Sequence, residues 1–245
     1  MEYKFLFSYL MVITALYYAY RERLGIEKTL FINSVRAFIQ LLFLGYILTF
    51  VFHLNSPFEL IGILFLMILF ASYTAQSRVK LKEKGYSTAF LTILLSSSIV
   101  IASLLIFGIV SFKPNEIIPV GGMIIGNALN VYTIAVDRMK GEVENSIDII
   151  ENIVALGGRL KDAFSLIGKK SVKAAMIPVT NMLQTVGIIH IPGITTGMLI
   201  AGADPFTAVS YQLAIMYMVV SVAMFTGIFS VRFGYDKILR TVKQS

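Results

Sequence analysis

Apolar residues along this chain gather in seven long blocks separated by short polar ones. The blocks run over 5–20, 30–52, 58–76, 87–111, 117–136, 176–201 and 207–230. About 20 apolar residues in a helix cross the hydrocarbon core of a bilayer. Inside that core an open strand would leave backbone N–H and C=O groups unpaired, whereas a helix satisfies them internally. The pattern therefore predicts an all-α polytopic membrane protein with about seven transmembrane helices. It also predicts a single transmembrane domain over 1–245, with no soluble domain inserted. The first block is short, and bulky Tyr17, Tyr18 and Tyr20 stand where a signal peptide needs small residues before cleavage, so it reads as a retained first helix.

Two places depart from simple spans. The segment 137–175 holds no stretch suited to lipid. Val143, Ile147, Ile150 and Val154 recur at helical spacing with Glu144, Asp148 and Glu151 between them, which predicts an amphipathic helix. Gly157-Gly158 interrupts it, and Leu160, Phe164 and Ile167 then mark one face of a second short helix. Such helices either lie on the membrane or dock on a cytoplasmic partner. The acids in the first helix disfavour an anionic lipid surface and favour docking. The sixth block contains Pro178, Gly187, Pro192, Gly193 and Gly197. Pro192 lacks a backbone donor and clashes with the turn before it, which predicts a kink or break at Pro192-Gly193. Transporters place such breaks at substrate sites, although a packing kink has the same signature. Gly122-x-x-x-Gly126 in the fifth block offers a small-residue face for close helix contact.

Charge adds orientation. Of the 21 basic residues, all but Lys4, Arg36 and Lys113 lie after the first, third, fifth and seventh blocks. Basic loops stay on the cytoplasmic side, so the N-terminus lies outside and the C-terminus inside a plasma or inner membrane. The net charge of +7 is thereby explained without nucleic acid. Composition agrees: 57% apolar, 14% charged and a mean hydropathy of +0.79, against about half and a quarter in soluble domains. With no cysteine there is no disulfide, thiolate metal site or thiol nucleophile.

Polar groups at membrane depth are functional candidates. Asn33, Arg36 and Gln40 share one face of the second helix, where Arg36 lies close enough to the cytoplasmic end to snorkel to the interface. Asn127 and Asn130 share a face of the fifth helix, and Asn181 and Gln184 a face of the sixth. His190 lies opposite Asn181 on an ideal helix, so the two meet only if that helix is distorted. Each of these also fits interhelical pairing. No phosphate-binding loop is present. Gly168-Lys169-Lys170-Ser171 lacks the first glycine and has Lys170 where Ser or Thr belongs. HExxH and GxSxG are also missing, so the chain carries no evident catalytic constellation.

The run MIPVTNMLQTVGIIHIPGITTGMLIAGADPFTAVSYQLAIMYM over 176–218 resembles the FetB-type ABC transporter permeases assigned to iron export. Pro178, Asn181, Met182, Gly187, Pro192-Gly193, Thr196-Gly197, Gly202, Pro205 and Tyr211-Gln212 carry the likeness. Arg36, Gln40-Leu41 and Gly45 in the second block, and Pro119-Val120 through Gly126-Asn127 in the fifth, extend it. Plant aluminium-tolerance membrane proteins look like relatives. The resemblance implies a homodimeric permease that is not itself an enzyme and binds no cofactor. ATP and Mg would sit on a separate cytoplasmic ABC ATPase subunit. Glu151, Gly157 and Ile167 are similar in spacing to the coupling segment of ABC importers, although Asn152-Ile153 and Lys169-Lys170 depart from it. With Leu160 and Phe164 exposed, that segment would insert into the ATPase. The expected function is ATP-driven export of iron or another metal ion along Asn127, Asn130, Asn181, Gln184 and His190. A non-metal substrate such as a nucleotide sugar is an alternative, since the path holds no carboxylate. An ion-coupled secondary transporter or channel is another, although inverted repeats and midplane ionisable groups are not evident.

Overall fold

The computed structural model describes residues 7–54, 56–82, 84–189 and 191–243. Regular structure among them is helical: α1 Tyr9–Arg21, α2 Glu27–Val51, α3 Pro57–Val79, α4 Gly85–Ile106, α5 Pro114–Glu144, α6 Ile147–Ala155, α7 Leu160–Thr185, α8 Gly193–Ile200 and α9 Pro205–Lys243. Among the described residues, α2, α3, α4, α5 and α9 are long and apolar enough to cross a membrane. The chain divides into two compact units, Met1–Leu54 and Asn55–Ser245.

In the first unit α1 packs on α2, and the Tyr9 and Ser34 hydroxyls are 3.0 Å apart. α1 has 13 residues and so reaches only about 20 Å, less than the hydrocarbon core. The expected block 5–20 begins outside the described residues. α2 buries only Val51, so its apolar surface is available to lipid or another chain.

The second unit is a bundle around α5, which contacts α3, α4, α7 and α9. Three of its helices start with one device. Proline at the first helical position costs nothing, because that N–H has no partner within the helix. Pro57, Pro114 and Pro205 occupy it, and a nearby acid takes up a free amide. Glu59 accepts from Ser56 N–H at 3.3 Å, Glu116 from Ser111 N–H at 2.8 Å and Asp204 from Thr207 N–H at 3.0 Å. The acids at block ends are therefore helix caps.

Side-chain contacts set the helix directions. Leu64 meets Gly121, and Lys140 Nζ donates to the Val79 carbonyl at 3.3 Å, so α3 and α5 run parallel. Ser96 pairs with Thr226 at 2.9 Å and Lys82 N–H donates to Thr241 Oγ1 at 3.2 Å, so α4 and α9 are antiparallel. Phe164 packs against Tyr235, Gly168 against Val231 and Val172 against Gly227, so α7 and α9 are antiparallel as well. With α3 and α4 paired as neighbours, α3, α5 and α9 point one way and α4 and α7 the other. This gathers Arg78, Lys84, Arg138, Lys173 and Arg232 at one end of the bundle.

Three local expectations change. The close helix approach is at Gly121, where any Cβ would strike Leu64, with Gly122 next to Met67. Gly126 has open space. α5 runs on to Glu144, and α7 passes from Leu160 through Pro178 to Thr185. The segment 137–175 therefore contributes only α6 as an element of its own. The interruption of the sixth block reaches Pro192 but begins several residues before it. α7 stops at Thr185, Gly187 takes φ +80°, and Pro192 becomes the cap of α8. The residue before a proline is pushed out of the helical region, so the break must begin earlier.

Candidate functional site

The amides of the fifth and sixth blocks sit on neighbouring helices. Lys170 Nζ donates to Glu142 Oε2 at 3.2 Å, and Arg138 pairs with Glu142 Oε1 at 2.7 Å, which fixes the register of α5 against α7. Counting from that bridge at helical rise, Asn130 and Asn181 stand at about the same height, roughly 17 Å up the bundle. Asn127 and Gln184 stand together roughly one turn further. The four amides thus stand at two matching heights on two neighbouring antiparallel helices. Asn127 is half-buried, and its Nδ2 donates to the Met123 carbonyl at 2.8 Å. Asn130, Asn181 and Gln184 are exposed. His190 lies outside the described residues.

The break above these amides is apolar and open. Ile188, Ile189 and Ile191 are exposed between α7 and α8. α8 is tied to α9 by Thr195 Oγ1 and Gln212 Oε1 at 3.4 Å, both buried. No group of three or more His, Cys, Asp or Glu able to hold a metal ion occurs among the described residues. Amide oxygens and backbone carbonyls freed by the break are the available ligands, which suits a hard cation held briefly better than a resident metal.

In the first unit Asn33, Arg36 and Gln40 are exposed on α2.

The segment that leads from α5 through α6 into α7 is well formed. α6 ends in a paired C-terminal turn: Gly158 N–H donates to the Ile153 carbonyl at 2.9 Å and Gly157 N–H to Val154 at 3.0 Å, with Gly157 at φ +85°. A Cβ on residue 158 would lie 2.8 Å from the Ile153 oxygen. Arg159 donates to Asp162 at 2.9 and 3.2 Å and holds that carboxyl below the ordinary range. Glu151 is exposed and Leu160 is half-buried. Phe164 is not exposed: at 2% accessibility it packs on Tyr235, because α7 continues directly into the bundle and turns this face inward. The outward apolar residues are instead Ile149, Val154, Leu166 and above all Leu156, at 88%.

A second polar cluster lies inside the bundle. Thr92, Ser96 and Ser97 are buried on α4, Thr226 and Ser230 on α9, and Tyr132 on α5. Ser96 and Thr226 bond across the interface, while Thr92 Oγ1, Ser97 Oγ and Tyr132 OH have no partner. Sequence reasoning passes over these hydroxyls, since each can usually satisfy itself on its own helix. The run Ser96-Ser97-Ser98 with Thr92 one turn before is the signal for them.

The description "Uncharacterised protein family (UPF0014)" belongs to the family that matches residues 3–239. The "Probable iron export permease protein FetB" of Escherichia coli (strain K12) is 31% identical over 232 residues, covering 93% of this chain and 88% of that protein. The "Protein ALUMINUM SENSITIVE 3" of Arabidopsis thaliana is 31% identical over 221 residues, covering 90% of this chain and 81% of that one. The "UPF0014 membrane protein YjkA" of Bacillus subtilis (strain 168) is 30% identical over 220 residues, covering 89% and 87% respectively. No solved structure matches.

Proposed function

Since this chain belongs to the UPF0014 family of membrane proteins, we propose that it is the membrane-spanning permease subunit of an ATP-driven exporter of iron or another metal ion. The observation that carries this reading is the near full-length similarity to a protein named an iron export permease. α1 and the interrupted pair α7–α8 complete seven spans, with the N-terminus outside and the basic end of the bundle in the cytoplasm. ATP and Mg bind a separate ABC ATPase, since the chain has no phosphate loop.

The path runs between two copies of the chain. An amide left unpaired in hydrocarbon costs roughly 2–7 kcal/mol. Asn130, Asn181 and Gln184 are exposed on one chain, so a second copy or a water-filled passage must cover them. A homodimer meeting across α5 and α7 supplies both, with His190 and the α7–α8 break at the outer end of the path. α6 docks on the ATPase through Leu156 and its exposed apolar neighbours, beside Glu151 and the Gly157 turn. ATP-driven movement there passes into α7, which is one continuous helix from Leu160 to Thr185.

Lack of carboxylates in the path favours one other substrate class, a neutral or anionic organic molecule such as a nucleotide sugar. One experiment addresses both readings. The chain is purified by affinity in gentle detergent from its native membrane, and co-eluting proteins are identified by mass spectrometry. A stoichiometric ATPase, lost on Leu156→Asp, supports the permease reading; a folded oligomer with no ATPase overturns it. ATP hydrolysis by the reconstituted complex is then measured with ferrous iron and with nucleotide sugars. Stimulation by iron that survives alanine at Asn127, Asn130, Asn181 and Gln184 would remove the path assignment.

A further inference from the structure

Between α7 and α9, at the basic end of the bundle, lies a groove of about 740 Å³. Its charged rim is Lys161, Lys169 and Lys173 on α7 and Arg232 on α9, and no acid lines it. Its floor is Val172, Ile228 and Val231, closed at the far end by Phe164 and Tyr235. None of the four cations is in a salt bridge among the described residues. Asp162, next to Lys161 in sequence, is held by Arg159 at 2.9 Å. The groove owes its shape to glycine. A Cβ at Gly168 would come within 2.6 Å of Val231 Cγ1, and one at Gly227 within 3.1 Å of Val172, so the helices meet at their floor while the cationic side chains stand free above it.

We propose that this groove binds one anionic phospholipid, with the headgroup phosphate on Lys169, Lys173 and Arg232 and an acyl chain along α7 and α9. Position and polarity both favour a lipid over a soluble anion. Lys173 and Arg232 stand at the last apolar turns of their helices. One turn deeper the surface becomes exposed Ile177 on α7 and Ile228 on α9, with exposed Met224 a turn beyond, so the apolar floor opens onto the lipid-facing surface. Phosphate chemistry matches unpaired Lys and Arg, and each basic group near an anionic surface strengthens binding by about fivefold. A bound lipid would rest on α7, the helix that joins the cytoplasmic segment to the amides, and would hold it against α9.

The test uses the purified full-length chain and native mass spectrometry, with phosphatidylglycerol and phosphatidylcholine of identical acyl chains. Phosphatidylglycerol adducts should exceed phosphatidylcholine adducts by about tenfold or more. The triple substitution Lys169→Gln, Lys173→Gln, Arg232→Gln should lower them on the order of a hundredfold. Removing the same charge elsewhere, by Arg21→Gln, Arg23→Gln, Lys28→Gln, should leave them unchanged. Should the groove triple fail to fold, the single changes Lys169→Gln and Arg232→Gln read the same effect at about fivefold each. Equal retention of the two lipids, or equal losses in both triples, overturns the proposal. So does unchanged lipid binding together with loss of a co-purifying ATPase, which would give the groove to that protein instead.

Discussion

A hydroxyl or amide in this protein is worth what its surroundings leave it to do. Thr226 is fully buried and bonds Ser96 from α9 to α4 at 2.9 Å. Interhelical hydrogen bonds in membranes contribute about 0.6 kcal/mol and reach about 1.7. Thr226→Val keeps the shape and removes the bond, so detergent unfolding should show a loss of about 0.6 to 1.7 kcal/mol. Asn130 is the opposite case. It is exposed, so Asn130→Ala should change stability by no more than about 0.5 kcal/mol. If it lines the substrate path, the same change should cut substrate-stimulated ATP turnover of the reconstituted complex by about tenfold or more, roughly 1.4 kcal/mol of barrier. Loss of stability with turnover intact would make it a packing residue. Asn127, whose amide is already engaged on Met123, should lose less turnover than Asn130.

At the scale of elements, close packing decides what the helices tolerate. Gly121 lies against Leu64 where α3 and α5 cross, while Gly126 faces open space. Overpacking a tight contact costs about 1–3 kcal/mol. Gly121→Leu should therefore lower the unfolding midpoint clearly, and Gly126→Leu should not, although a spacing motif in the sequence marks Gly122 and Gly126. That contrast is a measure of what sequence can say. Hydropathy locates helices well, because lipid imposes one requirement over a whole block. It cannot say which glycine meets a neighbour, since that depends on the rotation of two helices. The same limit explains Phe164. Read alone, 160–167 is a short amphipathic helix with an outward apolar face. Its continuity with the sixth block, hidden from hydropathy because Lys169, Lys170 and Lys173 interrupt the apolar pattern, turns that face onto Tyr235. The break near Pro192 is legible from proline chemistry, but its start at Val186 depends on Gly187 adopting φ +80°. The matching heights of the two amide pairs are legible only in outline. Spacing places each pair on one face, whereas the bridge from Lys170 to Glu142 is what brings them level.

For the molecule as a whole, the open question is which side of the membrane each end occupies, and its charge distribution answers with a specific expectation. Helix directions place the carboxyl ends of α3, α5 and α9 and the amino ends of α4 and α7 together, and these ends carry the basic residues. The opposite end carries the acidic caps Glu59, Glu116 and Asp204 and the single Lys113. Such asymmetry is retained on the cytoplasmic side during insertion. The chain has no cysteine, so single cysteines introduce the only thiol without further engineering. In intact cells a membrane-impermeant maleimide should label Ser56→Cys, Ser111→Cys and Ala203→Cys. It should reach Lys82→Cys and Asn145→Cys only after permeabilisation. The same assignment makes a sharper demand on α6. Leu156→Cys should be blocked from labelling in permeabilised membranes that contain the proposed ATPase, and should become reactive when that partner is washed away, since Leu156, 88% exposed, lies where the proposed contact is made. Labelling of Leu156→Cys from outside would invert the bundle, place the basic end beyond the membrane, and remove both the ATPase contact and the direction of transport that rest on it.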